Sequence, residues 1–376
     1  MNNNEKSKGL QVLHTGSLEL VRPPSGSIKE RMAIGVLTIA RQKLLTESSK
    51  FYAVGTYKLH ETDYRQLQAW ANMLGSDVEE LLDGLSQLTY THHNKNVCLK
   101  IENGHIESLV WDFDLLTLEQ FYFLEGLQIK TLCFLGACPT GRLCIHLSSL
   151  GELYCFSNQL TELDLSAVPQ LTELWCGRNQ LTELDLSAVP QLTQLICMGN
   201  QITELDLSAV PQLTWLECRG NQLTELDLSA VPQLIILCCR KNLLSELDLS
   251  KVPHLSGLHC GGNQLTELDL SAVSQLTELE CQENELTELD LSTLLQLTNL
   301  WCANNHLTDL GLSGVPQLGA LFCHKNQITG LDFSAVPELA FLICNKNQIT
   351  ELDVRSLKNL IVFDADETVH VIGNRP

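Results

Sequence analysis

Long apolar runs are absent from this 376-residue sequence, and none reaches the ~18 residues that a membrane-spanning helix needs. The opening stretch, MNNNEKSKGLQVLHTG, lacks an apolar core of the length that a secretory signal requires. Phosphate-binding glycine loops, kinase motifs and the serine-hydrolase elbow are missing from the sequence as well. We therefore expect no membrane insertion, no cofactor and no enzymatic activity.

Basic residues are also in short supply. The sequence has 24 Lys and Arg against 45 Asp and Glu, which gives a formal net charge of −21. A protein that binds nucleic acid needs basic groups to displace counterions from the phosphates, and anionic membrane surfaces attract basic segments in the same way. The charge balance therefore disfavours both nucleic acid and membrane surfaces as partners.

Cysteine, in contrast, is abundant, with fifteen residues. Disulfide frameworks are typical of small secreted proteins, whereas this chain is neither small nor visibly secreted. We therefore expect free thiols in a reducing compartment. The expected location is the cytoplasm, or a host cell reached through a secretion system that needs no signal peptide.

A pattern of 21 residues, L-T-E-L-D-L-S-A-V-P-Q-L-x-x-L-x-C-x-x-N-x, recurs without slippage from Leu160 onwards. It contains the L-x-x-L-x-L-x-x-N signature of leucine-rich repeats, with cysteine in place of the third leucine. The copies begin at Leu160, Leu181, Ile202, Leu223, Leu244, Leu265, Leu286, Leu307, Ile328 and Ile349.

Each repeat contains the alternation expected of a short strand. Leu174 and Cys176 alternate with Glu173, Trp175 and Gly177, and a period of two places these sets on opposite faces. A single repeat cannot bury its apolar face alone, so neighbouring repeats must stack. The pattern predicts a parallel sheet with Leu and Cys inside and variable residues outside.

This form of the repeat resembles the 21-residue, cysteine-bearing repeats of internalin-like bacterial proteins. The resemblance implies a right-handed solenoid with a parallel sheet on its concave side, used to bind proteins. We expect an α+β fold: a right-handed leucine-rich-repeat solenoid with a mostly β or irregular convex side and an N-terminal helical cap. The expected divisions are a flexible arm (1–26), a helical cap region (27–95), irregular repeats (96–146), the solenoid (147–360) and a C-terminal cap (361–376).

Two stretches before the repeats have the apolar spacing of helices. The first, SIKERMAIGVLTIARQKLL, opens with a capping box formed by Ser27 and Glu30. The second, TDYRQLQAWANMLG, ends at Gly75 and runs into another helix with a capping box at Ser76 and Glu79. This helical region is expected to cover the first edge of the repeat sheet.

The repeated cysteines share the inward register with leucine. We interpret them as small buried hydrophobes, because the parallel Cβ vectors of in-register strands suit disulfides poorly. Disulfide or metal use of this cysteine ladder is the minor alternative. The repeated asparagines are expected to satisfy backbone groups at the turn after each strand. The ladder consists of Cys155, Cys176, Cys197, Cys218, Cys239, Cys260, Cys281, Cys302, Cys323 and Cys344.

Comparison of the repeats with one another separates scaffold from recognition surface. The return segment TELDLSAVPQ barely changes, whereas the outward strand positions change in every copy and hold three of the five tryptophans. Aromatic residues are frequent hot spots of protein interfaces. A terminal segment or a second copy that covers this face is the alternative interpretation. The predicted protein-binding residues are Tyr154, Trp175, Ile196, Trp215, Ile236, His259, Trp301, Phe322, Phe341 and Ile343.

Two other chemistries stay open on the sequence alone. Cys238 and His259 occupy the same position in adjacent repeats, where a Cys–His pair can activate a thiolate or bind zinc. A cysteine- or metal-dependent enzyme centred on them is the alternative function. Glu162 and Asp164 begin two rows of acids along the return segments, and such rows could hold calcium. Solvated carboxylates on the convex side are the favoured interpretation, and we expect no metal site.

Overall fold

A computed structural model of the chain describes residues 11–14, 17–20, 50–92, 95–116, 122–123, 125–138 and 140–373. The chain divides into two compact units. The first comprises Met1–Leu160 and Asp164–Leu171, and the second comprises Thr161–Leu163 and Thr172–Pro376. This division falls inside the predicted solenoid range. The predicted helix with its capping box at Ser27 and Glu30 lies outside the described residues.

The first unit begins with an antiparallel sheet in the order β2-β1-β3-β4, which is followed by two helices and a hairpin. Within 50–92 the structure thus has strands as well as helices. The sequence pattern does not predict these strands. The elements are β1 (Gln11–His14), β2 (Ser17–Leu20), β3 (Phe51–Val54), β4 (Tyr57–His60), α1 (Glu61–Leu74), α2 (Val78–Gln87), β5 (Thr89–His92) and β6 (Lys95–Cys98).

The ends of the two helices follow from their sequence. Helix α1 ends at Gly75, which has a left-handed φ of 72° as the sequence predicts. The predicted capping box at Ser76 and Glu79 is wrong by one residue. Asp77 is the N-cap of α2, and its carboxylate accepts a hydrogen bond from the Glu80 N–H at 2.9 Å.

The rest of the first unit contains short strands that resemble irregular repeats. Strand β7 pairs with β8 in antiparallel fashion, whereas β8 pairs with β9, and β9 with β11, in parallel. The strands of this part of the first unit are β7 (Lys100–Glu102), β8 (His105–Asp112), β9 (Thr131–Leu135), β10 (Arg142–Cys144) and β11 (Glu152–Tyr154). The next strand, β12 (Glu162–Asp164), contains the boundary between the two units.

The second unit is built from the 21-residue repeats. Each repeat contributes one three-residue strand, and neighbouring strands pair in parallel with a shift of one repeat, as in Leu195↔Leu216. The strands are β13 (Glu173–Trp175), β14 (Gln194–Ile196), β15 (Trp215–Glu217), β16 (Ile236–Cys238), β17 (Gly257–His259), β18 (Glu278–Glu280), β19 (Asn299–Trp301), β20 (Ala320–Phe322), β21 (Phe341–Ile343) and β23 (Val362–Asp364). A separate parallel pair consists of β22 (Glu351–Asp353) and β24 (His370–Ile372). The predicted leucine-rich-repeat solenoid fold is confirmed.

The ladder cysteines lie in the core, as the sequence predicts. Every one of them is buried, together with the central leucine of its strand. Burial raises the pKa of the Cys197 and Cys281 thiols to about 12. All fifteen cysteines of the chain are free thiols. The ladder therefore packs as a column of small apolar groups.

The asparagines connect successive repeats through hydrogen bonds to the backbone. The Asn221 amide donates to the Cys197 carbonyl at 3.1 Å and to the Cys218 carbonyl at 2.9 Å, and its oxygen accepts from the Ile202 N–H at 3.1 Å. The residue before it, Gly220, has a left-handed φ of 65°, which forms the tight turn. The same three bonds recur from Asn200 to Asn347, so each of these asparagines joins three backbone groups.

The described parts of the chain contain two helices, α1 and α2. Neither α1 nor α2 combines the length and the hydropathy that a bilayer span requires.

Candidate binding face of the repeat sheet

The outward face of the second unit's sheet consists of the first and third residue of each strand. In β13 to β21 the middle residue is a buried leucine, and the alternation of side chains along a strand places its two neighbours on the outward face. Because the strands are in register, these residues form two rows that run across the sheet. Trp215, Ile236 and Phe341 belong to the first row, and Cys238, His259 and Trp301 to the second.

Three of the ten predicted binding residues are not on the accessible surface. Tyr154 belongs to the first unit and is fully buried, and its ring packs against Tyr90 of β5 with centroids 5.8 Å apart. Trp175 and its register partner Ile196 are each only 5% exposed. The expectation that these residues stand open on the face is therefore wrong. Among the first four of the predicted binding residues, Tyr154, Trp175, Ile196 and Trp215, Trp215 alone is exposed.

One apolar patch surrounds Trp215, and we call it the Trp215 patch. It consists of Trp215, its register partner Ile236, and Ile235, which is exposed. Ile235 occupies a position where the three preceding repeats have threonine. Sequence reasoning missed it, although this departure from the repeat was a visible signal.

A second and larger apolar patch lies near the C-terminal end of the sheet. The rings of Trp301 and Phe322 stack with centroids 5.5 Å apart and an interplanar angle of 2°. Phe341 is exposed, and so are Val362, its register partner, and the neighbouring Ile361. We call this the Trp301 patch, defined as Trp301, Phe322, Phe341, Ile343, Ile361 and Val362. Sequence reasoning assigned the last two to a C-terminal cap, yet β23 continues the sheet.

Ion pairs occupy the sheet between the two apolar patches. Arg240 donates a hydrogen bond to Glu280 at 2.6 Å, and His259 Nδ1 lies 3.3 Å from the other oxygen of Glu280. The hydrogen bond from His259 holds the pKa of Glu280 below its usual range, and Arg240 adds to this effect. Glu217 lies 3.7 Å from Arg219 in the same region. The face thus has a polar centre between two apolar ends.

Cys238 and His259 are register partners, as predicted, but their surroundings do not activate the thiol. Burial, with a smaller contribution from the Glu217 carboxylate, raises the pKa of Cys238 to about 11. The His259 ring instead contacts Glu280 on the following strand. A thiol with this pKa is almost entirely protonated at neutral pH and is a weak nucleophile.

The acidic rows of the return segments have local hydrogen-bond partners. Asp227 accepts a hydrogen bond from the Ser229 N–H at 2.8 Å, and Asp248 accepts one from the Ser250 N–H at 2.8 Å. These bonds from the serine backbone lower the pKa of both carboxyls. Each aspartate therefore closes a turn at the start of its return segment. Calcium binding by these rows stays an untested alternative.

Comparisons with known proteins place the fold. No family model matches the chain, and neither does any curated protein. Among solved structures, the functional domain of InlJ from Listeria monocytogenes, which includes a cysteine ladder, is 34% identical, with a TM-score of 0.55. The alignment covers 66% of this chain and 64% of the InlJ domain, so it spans less than two-thirds of that domain.

Two further structures share the solenoid fold. The internalin InlF of Listeria monocytogenes is 19% identical over 82% of this chain and 89% of its own, with a TM-score of 0.61. The plant peptide hormone receptor RGFR1, solved in complex with RGF2, is 17% identical over 63% of this chain and 44% of its own, with a TM-score of 0.52. Together with the geometry of the repeats, these similarities show that the chain has the fold of leucine-rich-repeat proteins, and like the InlJ domain to which it is similar it contains a cysteine ladder.

Proposed function

We propose that the chain is a non-enzymatic scaffold that binds a protein partner through the outward face of the second unit's sheet. The contrast between the two sides of each strand is the observation that carries this proposal. Inward positions repeat as Leu and Cys and are buried, whereas outward positions vary and leave Trp215 and Phe341 37% and 41% exposed. Large side chains left in water gain nothing from folding, so a partner that covers them accounts for their presence.

The separation of the two patches sets the size of the partner's contact surface. Trp215 lies on β15 and Phe341 on β21, six strands further along the sheet. At ~4.8 Å per strand the two side chains are about 29 Å apart. This span suits an interface of about 800 Å² on each partner. The partner should place apolar side chains on both patches and polar groups over the ion pairs between them.

The free thiols favour a reducing compartment as the place of action. Fifteen cysteines in one chain with no disulfide among them are unusual outside a reducing environment. We propose that the chain acts inside a cell, either the bacterium that makes it or a host cell into which it is delivered as an effector. The plant receptor solved with RGF2 supports only the general point that such a solenoid is compatible with a bound polypeptide.

Affinity capture with matched variants tests the proposed face. The chain would be immobilised and incubated with bacterial and host-cell lysates, and proteins retained by wild type would then be compared with those retained by each variant. Phe341→Ala and Trp215→Ala should each reduce capture of the same protein. Leu295→Ala is the matched control, because Leu295 is an exposed leucine in a return segment, away from the sheet. Loss of capture with Leu295→Ala and normal capture with both face variants would refute the proposal.

A further inference from the structure

Three potential metal ligands converge in the first unit, far in sequence from the repeats. His60 is the last residue of β4 and the N-cap of α1, Asp63 lies in the first turn of α1, and His105 begins β8. Each residue offers a ligand atom, and these atoms all lie within 4.8 Å of one another. The two imidazole rings are adjacent, with centroids 4.4 Å apart and planes inclined at 31°.

The Asp63 carboxylate is the unusual member of this cluster. It is fully buried, where one oxygen accepts a hydrogen bond from the Ile106 N–H at 2.8 Å. The other oxygen lies 2.8 Å from His105 Nδ1 and 3.1 Å from the Thr62 hydroxyl. A buried carboxylate is costly unless a positive charge compensates it. Among the described residues, the ion-pair partner of Asp63 is His105, which is charged only when it is protonated. A metal cation bound at this point would offset the charge of the carboxylate when His105 is neutral.

The two histidines have the properties of metal ligands. Both rings are partly buried and adjacent, and imidazole nitrogen is the commonest metal ligand in proteins. The His105 side chain is 28% exposed, which leaves a route for an ion from solvent. Two imidazoles and one carboxylate supply nitrogen and oxygen donors, the ligand set that suits a divalent transition metal.

The backbone holds the two histidine-bearing segments together. The His60 N–H donates to the Gly104 carbonyl at 2.6 Å, which ties the start of α1 to the β7–β8 turn. Gly104 has a left-handed φ of 86°, and a Cβ there would lie 2.5 Å from the Phe51 ring. Ligands fixed by backbone contacts lose little freedom when a metal binds.

We propose that His60, Asp63 and His105 form a binding site for one divalent first-row transition metal ion, with Zn²⁺ as the favoured occupant. Two imidazoles and a carboxylate match the ligand preferences of zinc, and a tetrahedral ion leaves its fourth position for water. Adjacent ligands of such an ion stand about 3.3 Å apart. His105 Nδ1 and the Asp63 oxygen, now 2.8 Å apart, therefore need to separate by about 0.5 Å. The His60 ligand atom lies within 4.8 Å of the other two, so it needs to approach them by up to about 1.5 Å. The ion would join α1 to β8 and stabilise the first unit.

Zinc titration of the metal-free, full-length protein tests the site. Isothermal titration calorimetry should detect the binding of one Zn²⁺ ion per protein molecule. The melting temperature of the protein should rise on addition of Zn²⁺. His105→Gln should weaken this binding at least tenfold. His60→Asn should do the same, since asparagine still supplies an N-cap acceptor for α1. Visible absorption of the Co²⁺-loaded protein would show whether nitrogen and oxygen ligands surround the metal in a tetrahedral arrangement.

Two control variants distinguish this site from other potential ligands. His254→Asn removes an exposed histidine of the second unit, and Cys144→Ser removes an exposed thiol. Both should leave zinc affinity unchanged. The proposal is overturned if wild type binds no Zn²⁺ at micromolar concentrations, if Cys144→Ser abolishes binding, or if His105→Gln binds as wild type does. If His60→Asn fails to fold by circular dichroism, His105→Gln alone decides.

Discussion

Replacing one asparagine of the repeat turns should destabilise the second unit by about 3 kcal/mol. Asn221→Ala leaves the Ile202 N–H without its acceptor, and a buried orphan donor costs about 1–3 kcal/mol. The two carbonyls that lose their hydrogen bond from the Asn221 amide contribute a smaller cost each. Those of Cys197 and Cys218 keep bonds from Asn200 and Asn242, so each lost bond costs about 0.5–1.5 kcal/mol.

Urea denaturation, followed by circular dichroism, measures this effect for Asn221→Ala. The neighbouring Gln222→Ala is the control, because Gln222 has an exposed side chain and its backbone bond to Ile202 is unaffected. Its free energy of unfolding should stay within about 0.5 kcal/mol of wild type, as surface changes usually do. A loss below about 1 kcal/mol for Asn221→Ala would refute the view that these amides hold the repeats together.

Three further predictions concern single side chains. Trp175→Ala should cost about 3–5 kcal/mol because the ring is buried, and a loss under about 1 kcal/mol in chemical denaturation would contradict this. Cys238 should alkylate slowly at neutral pH because its pKa is raised to about 11, whereas rapid labelling, detected by mass spectrometry, would restore the enzyme alternative. Contacts with His259 and Arg240 lower the pKa of Glu280 below its ordinary value of 4.5. These contacts therefore stabilise the fold fully at pH values above 4.5, and the stabilisation is lost as the pH falls through the lower pKa of the folded state. Glu280→Gln should therefore flatten the acid side of the curve of melting temperature against pH, and equal slopes would contradict the assignment.

The repeat architecture was predictable because its determinants are local. Period two within each strand places Leu174 and Cys176 inside, and the constant 21-residue spacing sets the register of every later strand. The role of the asparagines follows from the same regularity, since a side-chain amide at a recurring turn can reach the adjoining repeats. The outward position of Trp215 and Phe341 was predictable for that reason too.

The remaining features depend on contacts between residues distant in sequence. Tyr154 is buried because Tyr90, from a hairpin outside the repeats, packs on its ring, and no repeat pattern records that contact. Asp63 and His105 are 42 residues apart, so only the folded first unit brings them within hydrogen-bonding distance. The predicted N-cap of α2 was wrong by one position, because Ser76 and Asp77 are adjacent and both are residue types that cap helices well. In the structure the extended backbone of Asp77 (φ −101°, ψ 169°) directs its carboxylate to the Glu80 N–H.

Site-specific photo-crosslinking tests the central claim, that the outward face of the repeat sheet binds the partner, most directly. A photo-reactive amino acid would be placed at Phe341 or Phe322 on the face, and at Leu295 or Glu225 in return segments. After capture of the partner and irradiation, crosslinks should form from the two face positions and be absent from the other two. Crosslinks from Leu295 or Glu225, with none from Phe341 or Phe322, would show that the chain binds its partner through a different surface.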